Sequence, residues 1–149
     1  INKVNNKKIL QIIKEENKMK LEKVSSYKDF LKKIDFQKTK LNNFLKEKLK
    51  QNKTIHGYGA STKGNVLLQY FKINRNQINF IADRNPQKYN LFTPGTKIKI
   101  ISEKLSRKMN PDYYLVLPWH FSDEILKREK KIRKKGTRFI FPLPKLKIL

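Results

Sequence analysis

At 149 residues the chain has the size of one ordinary domain, long enough to bury a single core but not two. Its formal net charge of +24 invites nucleic acid, an anionic membrane or an anionic substrate, yet the excess is mostly Lys spread along the whole chain among abundant Asn and Ile. That distribution reads as a solvated surface and a composition bias ahead of a placed patch.

Direct base readout and phosphate clamps favour Arg, which is scarce here, and single-strand binders expose aromatics that here occupy core-like positions. Nucleic acid is therefore not the expected partner. With no Cys there is no disulfide framework, thiolate metal site or Cys nucleophile, and a reducing, cytoplasmic location is expected. No apolar stretch approaches the ~20 residues that span a bilayer, so no membrane partner is expected. The first residue, Ile1, is not Met, which suggests a fragment with a neighbour upstream.

In chain order, Ile9, Ile12, Ile13 and Met19 loosely predict a first helix over 8–19. A second starts at Ser26 as N-cap and carries Tyr27, Phe30, Leu31, Ile34, Leu41, Phe44, Leu45 and Leu49 on one face, which should pack on the domain body. Residues 1–25 are read as a helical lead-in and 26–149 as the domain proper. After Asn52 the pattern becomes strand 54–58, helix 63–71, strand 78–82 ending at Asp83, strand 97–101, helix 103–109 and strand 112–117 closed by Pro118.

Ser122 as N-cap, Asp123 and Glu124 in the first turn and Gly136 at C′ predict one helix between them, followed by strand 137–141. The F-P-L-P stretch from Phe141 should end that strand at a sheet edge. Strands alternating with helices at this spacing predict an α/β, Rossmann-like fold: a mostly parallel sheet of about five strands flanked by helices, with an N-terminal helical extension.

The turn leaving the first strand, G-Y-G-A-S-T-K-G-N over 57–65, should aim backbone N–H groups and a helix N-terminus at an anion above the sheet. Gly57 and Gly59 permit close approach, and Ser61, Thr62, Lys63 and Asn65 offer polar groups suited to phosphate or sugar oxygens. A dinucleotide loop needs a third glycine at Thr62, and a P-loop needs Lys and Ser or Thr after Gly64, where Asn65 and Val66 stand. Neither NAD binding nor ATP hydrolysis is supported.

The stretch from Gly57 reading G-Y-G-A-S-T-K-G-N-V-L-L-Q-Y-F, D-R-N-P-Q-K from Asp83, T-P-G-T from Thr93, P-D-Y-Y-L-V-L-P-W-H-F from Pro111 and F-P-L-P together resemble the C-terminal domain of sugar C-methyltransferases that use S-adenosylmethionine. The resemblance implies an upstream zinc-binding domain and methyltransferase domain, with S-adenosylmethionine held by the latter and a nucleotide-linked 4-keto deoxysugar as substrate. Its catalytic base, a His in a Tyr-x-Glu-His stretch, is absent here, as are the zinc cysteines. No catalytic or metal-ligating residue is therefore assigned to this chain, which alone should be inactive. Two departures stand out: Asn90 where a Gly is usual, which the left-handed tolerance of Asn allows, and Thr137 in place of the second Gly of a pair.

The substrate-binding set expected from position and resemblance is Tyr58, Gly59, Ala60, Ser61, Lys63, Gly64, Asn65, Asp83, Trp119 and His120. Asp83 is read equally as a ribose contact or an Asx-turn residue before Asn85 and Pro86. Trp119 and His120 are read equally as substrate contacts or as a packed Trp and a helix-capping His. His56 reads as a structural residue, and T-P-G-T as a type II turn. The competing reading is a non-enzymatic basic module for nucleic acid or another phosphorylated ligand.

Overall fold

The structure, a computed structural model, describes residues 3–149. The chain divides into two compact units, residues 1–36 and 37–149. The first holds helix α1 (Lys3–Met19) and the start of α2 (Val24–Lys50). Ser26 is not an N-cap: α2 begins two residues earlier, and the Ser26 hydroxyl donates to the Lys20 carbonyl at 2.8 Å and the Met19 carbonyl at 3.2 Å, tying off the end of α1. Tyr27, Phe30 and Leu31 stay at least half exposed, so the apolar stripe expected to be covered along its whole length is buried only from Gln37 onward.

The second unit is a six-stranded sheet of order β3-β2-β1-β4-β5-β6, with β1 (Ile55–Tyr58), β2 (Phe80–Asp83), β3 (Lys99–Ser102), β4 (Tyr113–Val116) and β5 (Arg138–Phe141) parallel and β6 (Lys147–Ile148) antiparallel. The central strands β1 and β4 are buried on both faces, which is why β4, Tyr-Tyr-Leu-Val, shows no apolar-polar alternation. The remaining part of α2 covers the sheet through buried Leu41 and Leu45, and its Phe44 ring meets Tyr113 edge-on at 5.5 Å. Helices α3 (Thr62–Phe71), α4 (Glu103–Lys108), α5 (Ser122–Arg128) and α6 (Lys130–Lys134) complete the layers.

Three expectations change. Phe141 does not end the sheet: after Pro142–Pro144 the chain returns as β6, so β5 is an inner strand. Two residues are too few to show a strand period in sequence. The single helix expected between Ser122 and Gly136 is two, broken at Glu129, whose carboxylate is drawn into the interior. Ser122 is the first residue of α5, and Phe121 precedes it without a side-chain cap. By contrast Gly136 takes a φ of 104° after α6, Asn90 takes one of 65°, and Thr137 uses its hydroxyl to donate to the Pro111 carbonyl at 2.9 Å. The Thr93 to Thr96 stretch turns as expected, with Gly95 at a φ of 72°. No helix among the described residues is long and apolar enough to cross a membrane.

Gly64 sets how closely α3 approaches the sheet, because a Cβ there would stand 2.5 Å from Leu117 Cβ and 3.0 Å from Ser61 Oγ. Helix propensity alone favours alanine by about 1 kcal/mol. Overpacking against a buried strand costs about 1–3 kcal/mol or more and outweighs it. Gly64→Ala is therefore expected to destabilise the fold by about 2 kcal/mol, measured as a lower thermal midpoint.

Candidate ligand site

In the order 3-2-1-4-5-6 the chain reverses direction between β1 and β4, and a crevice opens at the carboxyl ends of the strands on either side of that point. A cavity of about 410 Å³ lies there. Its floor is Tyr58, Gly59 and Ala60 at the end of β1, one wall is Asp83, Arg84 and Asn85 at the end of β2, and the opposite wall is α5 with Glu124 and Arg128. Gly59 is needed at this seam: its φ is 81°, and a Cβ would stand 2.8 Å from the Pro118 ring.

The loop after β1 is held by its own polar groups. Ser61 caps α3 by accepting from Gly64 N at 3.0 Å, Ala60 N donates to Asp83 Oδ2 at 2.7 Å, and Lys88 Nζ donates to the Ala60 carbonyl at 2.7 Å. Asp83 also accepts from Asn85 N at 2.8 Å, forming the Asx turn, while bordering the cavity. Its turn-forming role is thus present in the geometry, and its position leaves a ligand contact open.

Of the expected set, Tyr58, Gly59, Ala60, Ser61 and Asp83 meet in this cavity. Lys63, Gly64 and Asn65 do not line it: Lys63 is exposed, Gly64 packs on Leu117, and Asn65 places a buried Oδ1 that has no hydrogen-bond partner among the described residues. Trp119 and His120 border a separate cavity of about 350 Å³ with Phe141 and Leu143, and Trp119 packs against the core cluster of Tyr114, Ile125 and Phe139.

The residues missed by sequence reasoning are Arg84, Lys88, Glu103, Glu124 and Arg128, brought in by the end of β2 and by α4 and α5. Beneath them Tyr58 donates to Glu129 Oε1 at 2.6 Å, and Arg107 bonds to Glu103 Oε2 at 2.6 Å and to Glu129 Oε1 at 2.5 Å. Burial, together with the bond to Glu129, raises the Tyr58 hydroxyl well above its ordinary value, so it stays protonated. Burial pushes the Glu129 carboxyl up, but the bonds from Arg107 and Tyr58 outweigh it and leave the group below its ordinary range.

Residues 2–144 match the model of a family described as the C-methyltransferase C-terminal domain. The chain belongs to that family. It is also 29% identical over 141 residues to "C-methyltransferase NovU" of Streptomyces niveus, a match covering 95% of this chain and 34% of that protein. The chain thus spans about a third of the length of that curated relative. Membership in the C-methyltransferase C-terminal domain family agrees with the α/β architecture and with the resemblance carried by the loop sequences.

Proposed function

We propose that this domain holds a nucleotide-linked keto-deoxysugar in the cavity at the carboxyl ends of β1, β2 and β4, as the substrate side of a C-methyltransferase whose methyl-transfer machinery lies in a preceding domain. The observation that supports this reading is the cavity itself: a switch-point crevice in a chain of a C-methyltransferase family, lined by Arg84, Lys88 and Arg128 for phosphate oxygens and by Asp83 and Glu124 for sugar hydroxyls.

S-adenosylmethionine, which supplies the methyl group in this reaction, does not suit the same cavity. A sulfonium is a cation, three cationic side chains line the space, and Asp83 and Glu103 already receive bonds from the loop and from two arginines. On this reading the donor belongs to the preceding domain, as the family resemblance implies. This chain's own contribution is to bind and orient the sugar nucleotide, which fixes the reacting carbon against the incoming methyl group.

Titration with a thymidine diphosphate 4-keto deoxysugar is expected to raise the thermal midpoint, with stabilisation of about 2.7 kcal/mol at a hundredfold excess over Kd. Arg84→Ala, at an exposed position on the cavity wall, is expected to weaken binding roughly tenfold. No stabilisation by the sugar nucleotide, together with a steep salt dependence of oligonucleotide binding, would move the function to the nucleic-acid reading.

A further inference from the structure

Under the cavity lies a ring of charges of which the sugar-nucleotide reading uses only Arg128. Glu103 and Glu129 are buried carboxylates. Arg107 satisfies both, through Nη2 to Glu103 Oε2 at 2.6 Å and to Glu129 Oε1 at 2.5 Å and through Nε to Glu129 Oε2 at 3.1 Å. Arg128 Nη2 then donates to the Tyr58 hydroxyl and, at 3.1 Å, to Glu103 Oε1. Buried ion pairs are a poor route to stability, since apolar residues of like volume often do as well or better. The ring is better explained by what it holds.

What it holds is Arg128. The Nη2 and Nε atoms of this residue face Tyr58, Glu103 and Glu129, while Nη1 has no hydrogen-bond partner among the described residues, and the side chain borders the cavity. Arg107 covers the two carboxylates from the other side with three bonds, so the two carboxylates and two guanidiniums balance in charge, and what Arg128 offers the cavity is the unused N–H donors of Nη1.

We propose that Arg128 binds the diphosphate of the ligand through its free Nη1 amino group, and that Tyr58, Glu103, Arg107 and Glu129 are positioning residues that fix that group in the cavity. A guanidinium already locked in place loses little freedom on bonding, and the two N–H donors of Nη1 can make charge-assisted bonds to phosphate oxygens. The identity of the ligand rests on the sugar-nucleotide reading above; the anion subsite rests on the ring alone.

The test titrates inorganic pyrophosphate and a thymidine diphosphate sugar into the wild-type chain and into Arg128→Gln, Arg128→Lys and Tyr58→Phe. Arg128→Gln is expected to weaken both ligands by about 10- to 100-fold, and Arg128→Lys to recover only part, since it keeps the charge and loses the guanidinium. In the wild type the Arg128 guanidinium N–H resonances should be resolved and shift on adding pyrophosphate, whereas Tyr58→Phe should average them while the fold is retained.

Equal binding of both ligands by wild type and Arg128→Gln would overturn the subsite and leave the sugar-nucleotide reading intact. Arg128-dependent pyrophosphate binding without sugar-nucleotide binding would keep the subsite and overturn that reading. No pyrophosphate binding by the wild type would overturn the subsite. Should Arg128→Gln fail to fold, Arg128→Lys, which retains the charge opposite Glu103, carries the comparison.

Discussion

Replacing Glu129 with alanine is expected to cost about 3–5 kcal/mol of folding stability, because it strands buried partners instead of merely deleting a contact. Glu129 is 3% exposed and receives Arg107 through two bonds and Tyr58 through one. Alanine removes both acceptor oxygens, and with them all three bonds, and leaves Arg107 with only Glu103. Glu129→Gln keeps the volume and one carbonyl acceptor and should cost less. Because the native carboxyl titrates below its ordinary value, its stabilisation is fully present above the unfolded pKa near 4.5 and is lost as pH falls through the folded value. Urea unfolding at neutral pH measures the effect as a lower midpoint at unchanged slope. A loss under about 1 kcal/mol, the scale of an exposed pair, would mean that the carboxylate is not held as a buried partner.

That ring marks where sequence reasoning stopped. Apolar runs fixed β1 through β5 to within a few residues, because strands buried on both faces and helices with one apolar stripe each leave a period. Gly59 and Asp83 were legible from their places at the ends of β1 and β2. The α5 wall was not: Glu129 sits inside a Lys-rich stretch that reads as one solvated helix, and nothing local shows that the backbone breaks there to send a carboxylate inward. One signal was available. In a chain whose cations are mostly Lys, the arginines Arg84, Arg107 and Arg128 are conspicuous, and all three gather at or under the cavity. Trp119 was read equally as a substrate contact or as a packed ring, because position at the sheet edge does not separate the two, and in the structure its ring packs against the core cluster.

Acid should weaken the fold well before Glu129 is protonated, and His56 is the reason. It is 3% exposed within β1, its Nδ1 lies 2.8 Å from Ser106 Oγ, and Ser106 Oγ lies 2.8 Å from the Tyr114 hydroxyl. Phe80 meets the imidazole edge-on at 5.4 Å. With no carboxylate among these contacts, burial pushes its pKa from 6.5 down to about 4. The folded state therefore keeps the ring neutral while the unfolded chain takes up a proton below pH 6.5. Stability should be level above that pH, fall as pH drops, and have lost on the order of 3 kcal/mol when the folded pKa is reached. Urea unfolding between pH 7.5 and about 4.5, where carboxylates contribute least, isolates the effect. His56→Gln, which does not titrate, should be less stable at neutral pH through lost packing yet nearly flat across the same window. If wild type and His56→Gln fall in parallel, the imidazole is charged in the fold and the slope comes from other groups. If only the wild type falls, the chain from His56 through Ser106 to Tyr114 is a neutral hydrogen-bonded strut in the core, on the same face of β1 as Tyr58, whose ring lies 5.3 Å from that of Tyr114.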